Sequence, residues 1–163
     1  MELFQYCCNG VLLGLLAAVS VIDVKKGIIP NRLVLSVILL AVIRMSVACL
    51  AENAVALLLD GLLGLLAGGV PCALIILVTN GAMGAGDMKL YAALGLFFGC
   101  QKVFYIGVLS IMAAGAAALF LLILKKKDRK SSLVMAPFIS MAAVAVMVFE
   151  PQINWFLKTF YSV

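Results

Sequence analysis

Residues 54–79 read AVALLLDGLLGLLAGGVPCALIILVT, an apolar run interrupted by one charged residue, Asp60. In hydrocarbon every backbone amide must find its partner within the chain, and about 20 helical residues cross a core of roughly 30 Å, so this run reads as a membrane helix. The same reading carried outward gives further runs at Leu3 to Ile22, Leu33 to Leu50, Met88 to Cys100, Val103 to Leu124 and Leu133 to Phe149. The fold class expected is all-α, a polytopic membrane protein of six transmembrane helices. With 66% apolar and 12% charged residues, against averages of about 45–50% and about 25% in soluble domains, a soluble globular fold is excluded. No linker or shift in composition divides the chain, so residues 1–163 read as a single membrane domain.

The fourth run is short, rising only about 20 Å as a helix. Either it tilts in a thinned region, or the glycine-rich Gly81 to Asp87 stretch already lies at membrane depth. The first run lacks a basic segment before it and a small-residue cleavage site after it, so it reads as a retained span rather than a secretory signal. Lys25, Lys26, Arg32, Lys89 and the Lys125 to Lys130 run fall in alternate connections, while Lys102 and Lys158 fall in the others. The positive-inside rule then places the N-terminus outside and the Asp23 and Asp87 connections in the cytoplasm. The Lys125 to Lys130 run reads as a topology anchor against anionic membrane lipid. Glycine and alanine pairs four apart (Gly10/Gly14, Gly64/Gly68, Gly95/Gly99, Ala114/Ala118) are expected to let helices approach closely.

The net charge of +5 is spread between apolar runs, without a basic groove interleaved with aromatics, so no nucleic-acid partner is expected. The five cysteines form no CxxC pair and read as packed apolar thiols. The chain contains no histidine, which removes the commonest metal ligand and the commonest general base. Neither a metal nor a cofactor is expected, and any chemistry rests on carboxylates.

Ionisable groups inside a membrane are expensive, so an acid in or beside a span is a candidate for function. Asp60 and Arg44 fall toward the outer ends of their spans, where they can pair or each reach the interface. Asp23 closes the first span and Asp87 opens the fourth, so antiparallel helices bring both to one membrane face. Asp23 precedes Gly27-Ile28-Ile29-Pro30-Asn31, where Pro30 and Asn31 can start the next helix, and Asp87 follows Gly84-Ala85-Gly86. Glycine permits positive φ and close backbone approach, so an extended peptide can lie against Gly84 and Gly86 with the Asp87 carboxylate beside its carbonyl. Two carboxylates within reach share a proton, which supplies an acid and a base together. The same acids would also serve as stations of a proton-coupled transporter or channel subunit, or as purely structural groups.

These residues resemble the type IV prepilin peptidases, GxGD-type membrane aspartic proteases. Asp23 followed after five residues by Ile29-Pro30-Asn31 matches the family's D-x5-I-P-N, and Gly84, Gly86, Asp87, Lys89, Leu90, Ala92, Gly95 and Gly99 match its second motif. The resemblance implies that Asp23 and Asp87 are the catalytic pair and that Gly84, Gly86, Lys89, Pro30 and Asn31 shape the substrate site. It implies a cytoplasmic-membrane enzyme that cuts prepilin or pseudopilin precursors after a short basic leader, on the cytoplasmic side. The family's cysteine-rich cytoplasmic insertion is not found here, so a peptidase without the methyltransferase activity is expected. Where the family often shows Gly-Pro-Phe-Leu, this chain has Ala136-Pro137-Phe138-Ile139, with Pro137 expected to kink the sixth span, either as a kink that lines and shapes the substrate site or as a plain kink. Presenilin-like proteases pair Tyr-Asp with Pro-Ala-Leu, and neither motif is present. No feature assigns an oligomeric state.

Overall fold

A computed structural model describes residues 2–49, 54–79, 83–123 and 134–149, which form six α-helices and no strand among the described residues. The helices are α1 (Glu2–Lys26), α2 (Asn31–Cys49), α3 (Ala54–Val78), α4 (Ala85–Phe98), α5 (Cys100–Ile123) and α6 (Ala136–Val148). Four of them, α1, α2, α3 and α5, are long and apolar enough to cross a membrane. Leu50, Gly81, Leu124, the Lys125 to Lys130 run, Leu133 and Lys158 lie outside the described residues.

The helices pack as a ring in which α1 touches α2, α2 touches α3, α3 touches α5, α5 touches α6 and α6 returns to α1. Helix α4 sits against α2, α3 and α5. Its last nine residues are buried almost throughout, with Leu90 and Leu94 fully enclosed. This accounts for the short fourth run. A helix of 14 residues spans about 21 Å, and because its flanks meet protein rather than lipid it need not match the bilayer's thickness.

The ring faces inward along helical stripes. On α1 the stripe runs Cys8, Leu12, Leu16, Val19 and Asp23, at steps of three and four residues, so Asp23 continues a buried apolar face. On α6 it runs Ala136, Ile139, Ala143 and Val146. The outward faces are lined by exposed apolar side chains such as Leu35, Leu62, Leu74 and Phe104, as a lipid-facing surface requires. Cys8 and Cys72 pack in the interior as expected, whereas Cys7 is exposed on the outer face of α1.

Close approach between α3 and α4 follows from glycine. A Cβ at Gly64 would sit 2.2 Å from the Gly95 carbonyl oxygen, one at Gly95 would sit 1.9 Å from that of Gly64, and one at Gly68 would meet the Tyr91 carbonyl oxygen at 2.4 Å. The Gly10/Gly14 pair behaves otherwise, because a Cβ at either position meets nothing within 4 Å. Their face of α1 is open.

The boundaries depart from the apolar runs in instructive ways. Helix α1 continues past Ile22 through Asp23 to Lys26 and ends where Gly27, at φ +64°, donates its N–H to the Asp23 carbonyl at 2.7 Å. Helix α4 begins at Ala85, ahead of the expected Met88, so Asp87 lies in its first turn, where the helix dipole favours an acid. One residue, Gly99 at φ +83°, separates α4 from α5. Pro137 does not kink a span. It occupies the first turn of α6, where a proline's missing N–H removes no helical hydrogen bond.

At the Gly99 break two further charged side chains of the helices, Arg44 and Asp60, take structural work. The Arg44 guanidinium donates to the Phe97 carbonyl at 2.6 Å and lies 4.5 Å from the centre of that ring, satisfying a carbonyl that the end of α4 leaves open. Asp60 accepts the N–H of Cys100 at 3.2 Å, capping the start of α5.

Gly95→Ala is expected to destabilise the bundle by roughly 1–3 kcal/mol, the range for overpacking a tight contact. Gly10→Ala should leave stability unchanged or raise it by up to about 1 kcal/mol through helix propensity. Thermal unfolding of the two variants in detergent checks this, and equal midpoints would contradict the close approach of α3 and α4.

Candidate active site

The polar end of the bundle gathers the end of α1, the turn into α2, the start of α4 and the start of α6. Asp23 arrives there as the last member of the buried stripe of α1 and is only 5% exposed. A carboxylate so enclosed requires donors. One comes from α6, whose first backbone amide, at Ala136, donates to Asp23 Oδ2 at 3.1 Å. That amide is one of the orphan donors at a helix N-terminus, so the carboxyl oxygen and the helix end satisfy each other.

Asp87 is half-buried in the first turn of α4. The Gly84 backbone lies against its carboxylate, and a Cβ at position 84 would come within 3.0 Å of Oδ2. Besides its own burial, the Asp87 carboxyl group feels the charge of Asp23, so the two acids lie within electrostatic reach of each other. Gly84 and Ala85 are exposed beside them, which gives the site an opening to the outside of the bundle.

The glycines of the GxGD stretch are there for space and not for backbone conformation. Gly84 has φ −67°, an ordinary value, and the positive-φ glycines among the described residues are Gly27 and Gly99. A Cβ at Gly86 would stand 2.9 Å from the Cβ of Ile29. The start of α4 therefore lies directly on the turn that carries Ile29, Pro30 and Asn31. From α4, Lys89 Nζ donates to Asn31 Oδ1 at 3.1 Å, tying the two motifs together at the surface. Pro30 accepts the N–H groups of Leu33 and Val34 and opens α2. Pro137 follows the amide that meets Asp23.

Several neighbours of this site carry no motif. Cys72 of α3 and Tyr91, one turn beyond Asp87 on α4, both lie within electrostatic reach of Asp87. The buried Tyr91 hydroxyl is hydrogen-bonded to Ser110 of α5. Beside them opens an apolar cavity of about 400 Å³ lined by Gly68, Cys72, Met83, Tyr91 and Met135 among others. On the other flank, Ser20 and Ser140 link α1 to α6. The sequence offers only helical spacing for these residues, Ser20 three before Asp23 and Tyr91 four after Asp87. Nothing in it says which partner helix they meet.

Two carboxyl groups held in common surroundings, one enclosed and one reaching the surface, are suited to exchanging a proton with water and with a carbonyl group. The profile of the type IV leader peptidase family matches residues 10–123, a stretch that includes both aspartates. The chain belongs to that family. It is 31% identical over 153 residues to a prepilin leader peptidase/N-methyltransferase of Bacillus subtilis (strain 168), covering 91% of this chain and 58% of that protein. The chain thus spans somewhat more than half the length of this relative. No solved structure matches it.

Gly86→Ala should cost stability, because the new methyl meets a branched carbon near backbone, whereas Gly84→Ala should be tolerated by rotation of the Asp87 carboxylate that it meets. The expected outcome is a loss of roughly 1–3 kcal/mol for the first and under about 0.5 kcal/mol for the second, read from thermal unfolding in detergent.

Proposed function

We propose that this chain is a membrane aspartic endopeptidase that removes the short basic leader from prepilin or pseudopilin precursors, with Asp23 and Asp87 as its acid-base pair. The observation that carries the reading is that these two aspartates, from α1 and α4, lie within electrostatic reach of each other at one end of the bundle in a member of the type IV leader peptidase family. The Bacillus subtilis relative supports the peptidase part of the reading.

In this mechanism the pair holds one proton. The ionised carboxylate takes a proton from water as the water oxygen bonds to the scissile carbonyl carbon, while the protonated partner hydrogen-bonds the carbonyl oxygen. Collapse of the tetrahedral intermediate breaks the C–N bond, and the leaving nitrogen takes a proton from the pair. No covalent enzyme intermediate is needed. The exposed backbone at Gly84 and Ala85 supports an extended peptide laid beside Asp87. Lys89 and Asn31, joined to each other, hold the turn that bears Pro30 against the start of α4, and Pro137 starts the helix whose amide meets Asp23.

The topology that goes with this function has six spans, the N-terminus outside, and the site at the cytoplasmic face of the cytoplasmic membrane. The alternation of Lys and Arg between connections supports it. A cut at that face falls where a leader leaves the membrane surface, so a half-buried carboxylate beside exposed backbone suits it.

Purified protein in lipid should cleave a prepilin precursor after its leader. Asp23→Asn and Asp87→Asn should each lower the rate by at least the roughly 10²–10⁴-fold attributed to a general acid or base. Both variants should keep the wild-type unfolding midpoint, and near-normal cleavage by either would sink the dyad. Because the active state holds a single proton, the rate should fall on both the acid and the alkaline side of its optimum. For topology, Ala85→Cys in a background without the native cysteines should react with a membrane-impermeant thiol reagent from the cytoplasmic side. Labelling from the outside alone would overturn the orientation.

A further inference from the structure

Besides the Tyr91 hydroxyl, the buried polar or charged side chains among the described residues are Asp23, Ser110 and Ser140. Ser110 is bonded to Tyr91. Ser140 belongs to a second tie between α1 and α6 that lies one helical turn inward from Asp23. Ser20 and Asp23 are three apart on α1, and Ala136 and Ser140 are four apart on α6, so each pair shares a helix face. The helices meet at two levels. At the outer level the Ala136 amide donates to Asp23 Oδ2 at 3.1 Å, and at the inner level Ser20 Oγ and Ser140 Oγ are 2.8 Å apart. The two levels are separated by about 4.5 Å along α1 and about 6 Å along α6, at 1.5 Å per residue, so antiparallel helices present them in register.

The hydroxyl protons can be assigned by counting. Each serine has one proton, and the acceptors within reach are the other hydroxyl and the Leu16 carbonyl, which lies 2.9 Å from Ser20 Oγ and 3.3 Å from Ser140 Oγ. If Ser20 donates to Ser140, Ser140 donates to Leu16. If Ser20 donates to Leu16, Ser140 donates to Ser20. In both arrangements each proton is used and Ser140 bridges to α1. Ser140 is buried and Ser20 half-buried, and neither serine lines the apolar cavity beside Tyr91.

We infer that Ser140, with Ser20, is a positioning residue that latches the start of α6 against α1 and so keeps the Ala136 amide aimed at the Asp23 carboxylate. The role rests on the reading of Asp23 as one of the catalytic pair. The amide is a fixed donor, and the orientation of Asp23 follows from where α6 begins. Release of the inner tie lets that end of α6 drift, and the carboxylate loses its donor without losing its place in the sequence.

The latch predicts unequal effects from two small changes. Ser140→Ala removes every hydroxyl bond between the helices, and Ser20 keeps the Leu16 carbonyl, so no donor is stranded. Ser20→Ala leaves the Ser140 to Leu16 bond across the interface. In lipid, Ser140→Ala should lower kcat for precursor cleavage by about ten- to a hundredfold, as small misplacements of reacting groups do, with KM unchanged. Ser20→Ala should lose less, and Ser140→Thr, which restores the hydroxyl, should recover most of the rate. Amide hydrogen exchange of the segment around Ala136, read by mass spectrometry, should be faster in Ser140→Ala than in wild type. Unchanged exchange overturns the latch, and faster exchange with an unchanged kcat overturns its link to Asp23. A fall in kcat that tracks a lowered unfolding midpoint, or that Ser140→Thr does not reverse, also counts against it. If wild-type protein cleaves no precursor, the peptidase reading fails while exchange still decides the latch.

Discussion

The polar end of the bundle depends on how closely α4 lies against α3. Gly64 and Gly95 face each other's carbonyl oxygens at separations no side chain would allow, and Gly68 does the same for Tyr91 one turn nearer the site. In a membrane, where water gives little drive for helices to associate, such backbone contact supplies dispersion across the interface. It brings α4 to α3 while α2 and α5 cover its other flanks. A helix so surrounded can be short. Its start can then stop inside the ring, where Asp87 in its first turn is half-buried and within electrostatic reach of Asp23 on α1.

Placing a second acid there raises a solvation problem, because a carboxylate that is almost fully enclosed must be met by donors. The chain solves it with helix ends. Asp23 takes the first free amide of α6, and Asp87 sits at the N-terminal end of its own helix with the Gly84 backbone alongside. Helix N-termini point N–H groups and a partial positive charge at both acids without adding a cationic side chain. Lys89, the nearby cation of the motif, is instead bonded to Asn31, where it fastens α4 to the turn before α2. Both acids are thus met by backbone donors at helix ends, with no cationic side chain bonded to either among the described residues.

Much of this was legible in the sequence, for identifiable reasons. Long apolar runs with isolated charges announce helices because hydrocarbon permits little else, and each expected run contains a helix within a few residues. The boundaries were less legible. Polar residues such as Asp23, Lys25 and Lys26 extend α1 beyond its apolar stretch, and hydropathy has no means of registering a helix that continues through polar residues. Asp87 reads as a residue ahead of a span, yet a first helical turn welcomes an acid. Gly84 and Gly86 suggested positive φ and close backbone approach, and the structure uses them for room against Asp87 and Ile29, while Gly99 of the same motif is the one with positive φ. Pro137 suggested a kink and serves as a helix start. Ser20, Ser140, Tyr91 and Ser110 were not legible as neighbours of the aspartates, because helical spacing shows which face a residue occupies and not which helix comes to meet it.

The far end of α4 shows the same economy under a different constraint. A single residue between two helices leaves carbonyls at the end of one and amides at the start of the next with few local partners. Gly99 makes the break possible through its positive φ, and a Cβ there would lie 2.1 Å from Asp60 Oδ2. Side chains from neighbouring helices close both ends, Arg44 on the Phe97 carbonyl and Asp60 on the Cys100 amide. These two charged residues, which by sequence alone stand beside the aspartate pair as candidates, are thus engaged with backbone at the opposite end of α4. Anchored there from α2 and α3, and packed through glycine along α3, α4 has little freedom to slide along its axis. Such a slide would carry Asp87 away from Asp23 and Gly86 off the Ile29 side chain that it packs against. The charged residues remote from the site therefore bear on it through the axial position of one buried helix.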